Sequence, residues 1–228
     1  MDEPTTEPSR AEGGALAGRV YASVRERIIR GEYADGERLA EQRISEELGV
    51  SRIPVREALA MLDADGFVVS APRRSCVVRT WDARSLSDLF DVRAVLEPGA
   101  ARFAARAVAA GGSTAALERA LTASRESVRS GDTYLIAERS TAFHEAIVAT
   151  SGNALLMSQM RSILGRIHWL FFRTSALDVD VAYEDHSGLL SAIASGDERI
   201  AESLAYAHIE LDRAPTFAAL GLSLDADD

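Results

Sequence analysis

Residues 39–62 read LAEQRISEELGVSRIPVREALAML, and their pattern indicates how the first part of the chain folds. The pattern predicts two short helices that meet at a sharp turn. An apolar face is predicted for the first helix from Leu39, Ile44 and Leu48. Gly49 can take the left-handed conformation that ends this helix. Two helices joined in this way are typical of a helix-turn-helix, whose second helix enters a groove of DNA.

The second helix of the pair is predicted to carry arginines on its outer face. Ser51 can cap its start, and Pro54 falls in the first turn, where a missing N–H costs nothing. Its buried face is predicted from three residues at helical spacing: Val55, Leu59 and Leu62. Arg52 and Arg56 lie on another face, where a guanidinium group can donate to guanine or bind a phosphate. The alternative is that both arginines pair with surface glutamates, of which three are near: Glu46, Glu47 and Glu57.

The flanking segments complete a winged helix-turn-helix over residues 15–80. An amphipathic helix is predicted upstream from apolar residues at helical spacing: Val20, Val24, Ile28 and Ile29. Downstream, two short runs have strand composition and can pair as a hairpin: residues 67–69 and 76–78. Arg73 and Arg74 in the turn between them would reach the minor groove or the DNA backbone, unless the hairpin is an ordinary solvated turn.

The net charge of −10 is unevenly distributed along the chain. Residues 1–14 carry one arginine and four acidic residues, residues 15–80 carry eleven and ten, and residues 81–228 carry thirteen and twenty-one, so that the sums are −3, +1 and −8. The acidity therefore belongs mainly to the second half. In the first half, a few arginines on the predicted DNA-binding face carry the positive charge, and binding to DNA is therefore expected to depend on salt.

Three features indicate a cytoplasmic protein that is associated with the nucleoid when it binds DNA. No uninterrupted apolar stretch approaches the roughly 18 residues that a membrane helix needs. The start of the chain carries acidic residues in place of the basic region of a signal peptide. Cys76 is the only cysteine, so an intrachain disulfide is excluded.

From about residue 84 the pattern is almost entirely helical. Glycine and serine clusters divide it into six predicted helices, at about residues 84–110, 114–129, 132–150, 153–175, 181–194 and 197–219. Three of them have a candidate cap that follows a glycine: Asp132, Asn153 and Asp197. The predicted fold class is mainly α. An N-terminal winged helix-turn-helix of three helices and a β-hairpin wing precedes an all-α six-helix antiparallel bundle, which can enclose a ligand site.

The other segments are assigned from composition. Residues 1–14 are predicted to be a disordered lead, because they are polar and lack periodicity. Residues 81–83 link the two domains, residues 84–220 form the helical domain, and residues 221–228 form an acidic C-terminal tail.

Three histidines fall on separate predicted helices of the second half. His144, His186 and His208 could converge as neutral imidazoles and bind zinc, nickel or a similar ion at about 2.0 to 2.1 Å. The alternative is that each is a hydrogen-bonded core residue. His168 lies within an aromatic run and is interpreted as wall or core.

The segment from residue 18 to about residue 80 resembles the winged helix-turn-helix of the GntR family of bacterial transcription regulators. The resemblance rests on GEYADGERLAEQRISEELGVSRIPVREAL, which follows the family's pattern through GVSRIPVREAL. It implies three operator contacts: Ser51, Arg52 and Arg56. Arg43 on the preceding helix is a candidate for a phosphate contact. One departure is Ser75, which stands where the family usually has glycine.

Residues 84 to about 215 resemble the FCD effector domain, which accompanies this DNA-binding domain in the FadR subfamily. The matching segments include DVRAVLEPGAARFAA, FHEAIVATSGN and GDERIAESLAYAH. In metal-binding members the ligands are three histidines and an aspartate four residues before the first. The histidines carry over as His144, His186 and His208, but the aspartate's position is Ser140. The resemblance implies either a divalent metal on three histidines or a metal-free site in which imidazoles act as hydrogen-bond donors.

Arg93 is the candidate effector-binding residue. FCD proteins can direct an arginine at this motif into the cavity, where its parallel donors would bind the carboxylate of an organic acid. The alternative is a pair with Glu97, one helical turn away, that only fastens helices together. The resemblance implies a small carboxylate effector, such as a hydroxy acid, a sugar acid or a dicarboxylate.

Together these features predict a ligand-responsive DNA-binding transcriptional regulator, and most relatives of this kind are repressors. Two subunits are expected to form a homodimer on a palindromic double-stranded operator. Two alternatives stay open: a small metal-dependent hydrolase-like bundle fused to a DNA-binding module, and a DNA-binding scaffold without a ligand. The chain is not predicted to be an enzyme, because it has no HExxH spacing, no nucleophile elbow and no phosphate-binding glycine loop.

Overall fold

The computed structural model describes residues 10–71, 75–174 and 179–224, with side chains for all of these except 10–13 and 179–182. The chain divides into two compact units, the first ending at Thr80 and the second beginning at Trp81. Within the described residues, no helix has both the length and the apolar character needed to cross a membrane.

In its described residues, the first unit contains three helices and a three-stranded antiparallel sheet. Its elements are α1 (Arg10–Ile29), β1 (Arg38–Ala40), α2 (Glu41–Leu48), α3 (Arg52–Ala64), β2 (Val68–Ala71) and β3 (Ser75–Val78). The strand order is β1-β3-β2, with Leu39 opposite Cys76 and Val69 opposite Val77. The predicted helix-turn-helix with a hairpin wing is confirmed, and β1 adds a third strand to the wing.

The prediction for Leu39 is wrong. This residue lies in β1 and is fully buried, whereas α2 begins at Glu41, after Ala40 with an extended backbone (φ −96°, ψ 137°). A helix and a strand would both bury Leu39, so apolar spacing alone does not distinguish them. Pairing with the distant strand β3 decides between them.

The turn between α2 and α3 follows the predicted pattern. Gly49 is left-handed (φ 64°, ψ 34°), and its N–H donates to the carbonyl of Ser45. Ser51 has an extended backbone at the start of α3, but its side chain makes no capping hydrogen bond. The exposed Ser51 hydroxyl is therefore not used by the helix.

The core of the first unit forms where α1 packs against α3. The predicted buried faces of both helices are confirmed by fully or almost fully buried residues: Val20, Val24, Ile28, Ile29, Val55, Leu59 and Leu62. Burying one such side chain stabilises a fold by about 1.5–3 kcal/mol relative to leaving it exposed. This apolar contact buries one face of α3 against α1 and leaves the opposite face exposed.

The second unit consists of six helices in its described residues, as predicted. They are α4 (Ala83–Ala109), α5 (Ala115–Val128), α6 (Thr133–Thr150), α7 (Ala154–Arg173), α8 (Val179–Ser195) and α9 (Glu198–Ala219).

Helix caps fix where three of these helices begin. The side chains of Asp132, Asn153 and Asp197 accept backbone N–H groups at the starts of α6, α7 and α9, so the predicted caps are confirmed. Asp82 caps the start of α4. Its side chain accepts the backbone N–H of Ser85, and the Ser85 side chain accepts the backbone N–H of Asp82.

Helices α4 and α9 lie antiparallel against each other. Arg106 near the end of α4 pairs with Glu198 at the start of α9, and Arg213 near the end of α9 pairs with Asp91 near the start of α4. Helix α4 also packs against α6, α7 and α8. Side chains on its inner face therefore meet side chains from four other helices.

Parts of several predictions lie outside the described residues. They concern the wing-tip residues Pro72, Arg73 and Arg74, residues 1–9 of the predicted lead, and residues 225–228 of the acidic tail. Residues 10–14 of the predicted lead belong to helix α1.

Candidate functional site

The outer side of α3 presents two of the residues predicted to contact DNA. Ser51 and Arg52 are exposed at its start. Ile53 beside them is 66% exposed. No partner for Arg52 is found among the described side chains. Its guanidinium group is therefore available to a ligand without breaking an ion pair of the protein.

Arg56 is held by a glutamate of the preceding helix. Its Nε and Nη2 donate to Oε1 and Oε2 of Glu41 at 2.8 and 2.9 Å. The Glu41 side chain is 8% exposed, whereas that of Arg56 is 52% exposed. Pairing with a glutamate was the predicted alternative, but the partner is not one of the three glutamates considered. The bidentate pair orients the guanidinium group and leaves half of the side chain open to solvent.

Arg43 lies in a network of charges on α2. Its Nη1 donates to Glu37 at 2.6 Å and its Nε to Glu47 at 2.7 Å. The guanidinium carbon lies 5.3 Å from the ring centroid of Tyr33. A phosphate would have to compete with two carboxylates for this arginine.

In the second unit, His144 of α6, His186 of α8 and His208 of α9 come together. All three are at least 95% buried, and their ring centroids lie 4.9 to 5.5 Å apart. One ligand nitrogen of each histidine lies within 4.8 Å of those of the other two. We call these three residues the histidine cluster.

Glu97 of α4 lies next to the histidine cluster and bonds to His144. His144 Nδ1 and Glu97 Oε2 are 2.7 Å apart, and the other carboxylate oxygen accepts a hydrogen bond from Arg93 Nε at 2.7 Å. A carboxylate at Nδ1 favours the tautomer that carries its proton there, which leaves the lone pair of His144 Nε2 for a ligand. This Nε2 is buried, and no described residue forms a hydrogen bond with it.

Arg93 makes the ion pair of the second predicted alternative. It is fully buried and pairs with Glu97 through Nε. Its Nη1 and Nη2 are also buried but have no hydrogen-bond partner among the described residues. The guanidinium carbon lies 5.4 and 5.5 Å from the ring centroids of Phe90 and Phe171. The pair with Glu97 thus holds the arginine in place while its two terminal donors stay unused.

The protonation states in the cluster follow from burial and charge. Burial, and then the charges of the other two histidines, lower the pKa of His186 well below its ordinary value. Burial, followed by the charge of His144, lowers the pKa of His208 to about 4. Burial opposes the ionisation of Glu97, but Arg93 and His144 outweigh it and hold the pKa of this carboxyl well below its usual range. Near neutral pH His186 and His208 therefore offer neutral imidazole nitrogens, and the carboxylate of Glu97 is ionised.

The donor set of the histidine cluster fits a divalent transition metal. Buried nitrogens without a hydrogen-bond partner among the described residues occur on all three rings: Nε2 of His144, Nε2 of His186, and both nitrogens of His208. Ligands about 2.1 Å from one tetrahedral ion lie about 3.4 Å apart, so inward shifts of about 1 Å or less would bring these nitrogens to coordination distance. Ser140, at the position of the family's aspartate, is only half-buried and offers no anionic oxygen.

His168 lies apart from the cluster. It is buried in α7, and its ring centroid is 4.7 Å from that of Tyr134. This position agrees with its interpretation as part of the core.

Sequence reasoning missed three carboxylates near these sites. Glu97 was considered only as a partner of Arg93, and Glu41 was not considered for Arg56. Asp212 follows His208 by one helical turn, and its Oδ2 lies 3.8 Å from His208 Nε2. Spacing along a helix could have indicated Asp212, whereas the other two contacts join different helices.

Comparisons with known proteins identify both units. The model of bacterial regulatory proteins of the gntR family matches residues 16–78, and that of the FCD domain matches residues 88–211. The Nta operon transcriptional regulator of Aminobacter aminovorans is 31% identical to this chain, over 78% of this chain and 83% of the relative. The HTH-type transcriptional repressor GlaR of Escherichia coli is 28% identical, over 83% and 90%. A solved structure described as a transcriptional regulator GntR from Rhodococcus sp. RHA1 shares the fold, with a TM-score of 0.75 at 24% identity over 90% of this chain and 99% of that one.

A winged helix-turn-helix followed by a helical domain with a buried polar site is the architecture of a ligand-sensing DNA-binding regulator. The chain belongs to the GntR family of bacterial transcription regulators, and its FCD domain fits the FadR subfamily. The family consists of regulators and not of enzymes, so the hydrolase alternative is dropped.

Proposed function

We propose that the helical domain senses a small organic acid, which binds between Arg93 and the histidine cluster. The observation that carries this proposal is a set of buried nitrogens that have no hydrogen-bond partner within the described part of the chain, on Arg93 and on all three histidines. Buried polar groups are almost always hydrogen-bonded, so such a set on facing helices indicates a ligand. Two parallel guanidinium donors suit a carboxylate, as in a hydroxy acid, a sugar acid or a dicarboxylate.

A divalent ion such as zinc or nickel completes the proposed site. Nε2 of His144, Nε2 of His186 and one ring nitrogen of His208 would hold it. When bound, the ion would supply positive charge and open coordination positions for an oxygen atom of the acid. Glu97 contributes by orienting both His144 and Arg93, because each of its oxygens bonds to one of them. Glu97 thus positions both His144, which would bind the metal, and Arg93, which would bind the acid.

For the DNA interface we propose the residues that start α3, together with the wing. Ser51 and Arg52 are exposed, and Arg56 is oriented by Glu41 with half of its side chain in solvent. Arg73 and Arg74 are proposed to contact the minor groove or the backbone. Arg43 is proposed to contact a phosphate, which would replace one of the two carboxylates that bind this arginine.

Replacing Arg52 with alanine should weaken specific operator binding by about 1–3 kcal/mol and leave the thermal midpoint unchanged, because this side chain has no partner among the described residues. Fluorescence anisotropy with a labelled operator duplex, first selected from genomic DNA with the wild-type protein, measures this. Arg84→Ala, which removes an exposed arginine of α4, is the matched control and should change nothing. Undiminished affinity of the Arg52→Ala protein would remove Arg52 from the interface.

The proposed assembly is a homodimer on a palindromic operator. Large apolar side chains are exposed on the adjacent helices α4 and α9: Val92, Val95, Ile200, Leu204 and Leu211. Val95 and Leu211 are 74% and 68% exposed. Exposed apolar residues grouped on two adjacent helices are typical of a protein interface, and a second copy related by a two-fold axis would cover both faces equally.

Effector binding is proposed to release the operator, since named relatives include repressors. The acid must bind the DNA-competent and incompetent arrangements of the dimer with different affinities, typically by about 1–3 kcal/mol. We expect the protein to act in the cytoplasm, at the nucleoid when bound to DNA.

One experiment on the full-length protein tests the sensing proposal. Native mass spectrometry with and without added zinc should give a dimer that binds one zinc ion per subunit. Operator binding is then titrated with L-lactate, D-gluconate and succinate, before and after chelation. We expect at least one acid to change operator affinity by about 5- to 150-fold. If neither zinc nor any of these acids changes operator affinity or the thermal midpoint, the proposal is wrong.

A further inference from the structure

The histidine cluster lacks the anionic ligand that the aspartate supplies in metal-binding FCD domains, because residue 140 is serine. Three neutral imidazoles leave both charges of a divalent ion uncompensated. Glu97 does not coordinate in this arrangement, since both of its oxygens are already hydrogen-bonded. A carboxylate from elsewhere in the bundle is therefore needed close to the ligand nitrogens.

Two aspartates approach His208 from different sides. Asp212 Oδ2 lies 3.8 Å from His208 Nε2, and Asp185 Oδ2 lies 3.7 Å from His208 Nδ1. Both side chains are 36% exposed. Distance alone does not choose between them.

The helix geometry favours Asp212. It follows His208 by four residues on α9, and residues four apart lie on the same helix face. Two ligands about 2.1 Å from one ion are at most about 4.2 Å apart, so 3.8 Å is within the range of two ligands of one metal. Asp185, by contrast, directly precedes His186 on α8. Neighbouring residues of a helix point about 100° apart, so with His186 directed into the cluster Asp185 is less well placed than Asp212 to reach the same ion.

We propose that Asp212 is the anionic ligand of the metal and takes the place of the aspartate that is missing at Ser140. This inference rests on the proposed metal site. The carboxylate then comes from α9, where the family's aspartate would come from α6. With three imidazoles and one carboxylate, the site keeps one net positive charge, which the carboxylate of an acid effector can neutralise.

Zinc titration of the full-length protein by calorimetry tests the proposal. The Asp212→Asn protein should bind zinc at least about tenfold more weakly than the wild type, since it keeps the shape of the side chain but loses the anionic oxygen. Asp185→Asn is the matched control and should bind within about twofold of the wild type. Adding Ser140→Asp to Asp212→Asn should restore the affinity. Cobalt titration followed by visible absorption reports the change in ligand set independently, and circular dichroism checks that each variant is folded.

The outcomes separate the two proposals. If the wild type binds zinc and Asp212→Asn binds it equally well, Asp212 is not a ligand, while the three-histidine site stands. A weaker affinity in Asp185→Asn alone would also overturn the proposal. If the wild type binds neither zinc nor cobalt, the metal site itself is wrong, and the role of Asp212 is rejected with it.

Discussion

Replacing Glu97 with alanine should lower the free energy of unfolding by about 3–5 kcal/mol, because the substitution leaves the fully buried Arg93 without its counter-charge. The same change removes the carboxylate that orients His144, so zinc affinity should fall by about 10- to 100-fold. Urea unfolding followed by circular dichroism measures the first effect, and calorimetry the second.

Glu145→Ala is the control for this prediction. Glu145 is a neighbour of His144 on α6, but it is exposed. Its removal should change the free energy of unfolding by less than about 0.5 kcal/mol. Equal stability of the Glu97→Ala and Glu145→Ala proteins would contradict the structural role given to Glu97.

Replacing Arg93 with lysine should reduce the affinity for the acid effector by about 2 kcal/mol, or about 30-fold, because an ammonium group cannot offer two parallel donors to one carboxylate. The positive charge next to Glu97 is kept, so the protein should stay folded. The measurement is the shift of the thermal midpoint with increasing concentration of whichever of L-lactate, D-gluconate and succinate affects the wild type.

A matched control for Arg93 lies on the same helix. Arg106 also makes an ion pair, in which Nε and Nη2 donate to Glu198 at 3.1 and 2.8 Å, but its side chain is 54% exposed. Arg106→Lys should leave the response to the acid unchanged. If Arg93→Lys responds to the acid as the wild type does, the carboxylate does not bind at this arginine.

The DNA-binding unit was predictable because its signals are local. Gly49 ends one helix and Pro54 lies in the first turn of the next, and both effects act through backbone groups within a few residues. The caps Asp132, Asn153 and Asp197 likewise bond to N–H groups two or three residues away. Leu39 was predicted wrongly since its partner β3 is distant in sequence.

The histidine cluster was predictable in part, because some of its features are local in sequence and others depend on contacts between helices. The sequence placed one histidine on each of three helices, and a family resemblance suggested that they converge. It did not show that Glu97 of α4 bonds to His144 of α6, because that contact depends on how two helices pack. The same holds for Arg56 and Glu41, which lie on different helices.

Local patterns in the chain specify the order of the helices, most of their ends, the arginines at the start of α3 and the chemical types available to the buried site. These properties depend on apolar periodicity and on hydrogen bonds that close within one helical turn. Packing between helices, in contrast, sets which carboxylate faces each histidine and which buried nitrogens lack a hydrogen-bond partner among the described residues. Those features depend on distances between helices, which are set by side-chain packing across the whole bundle.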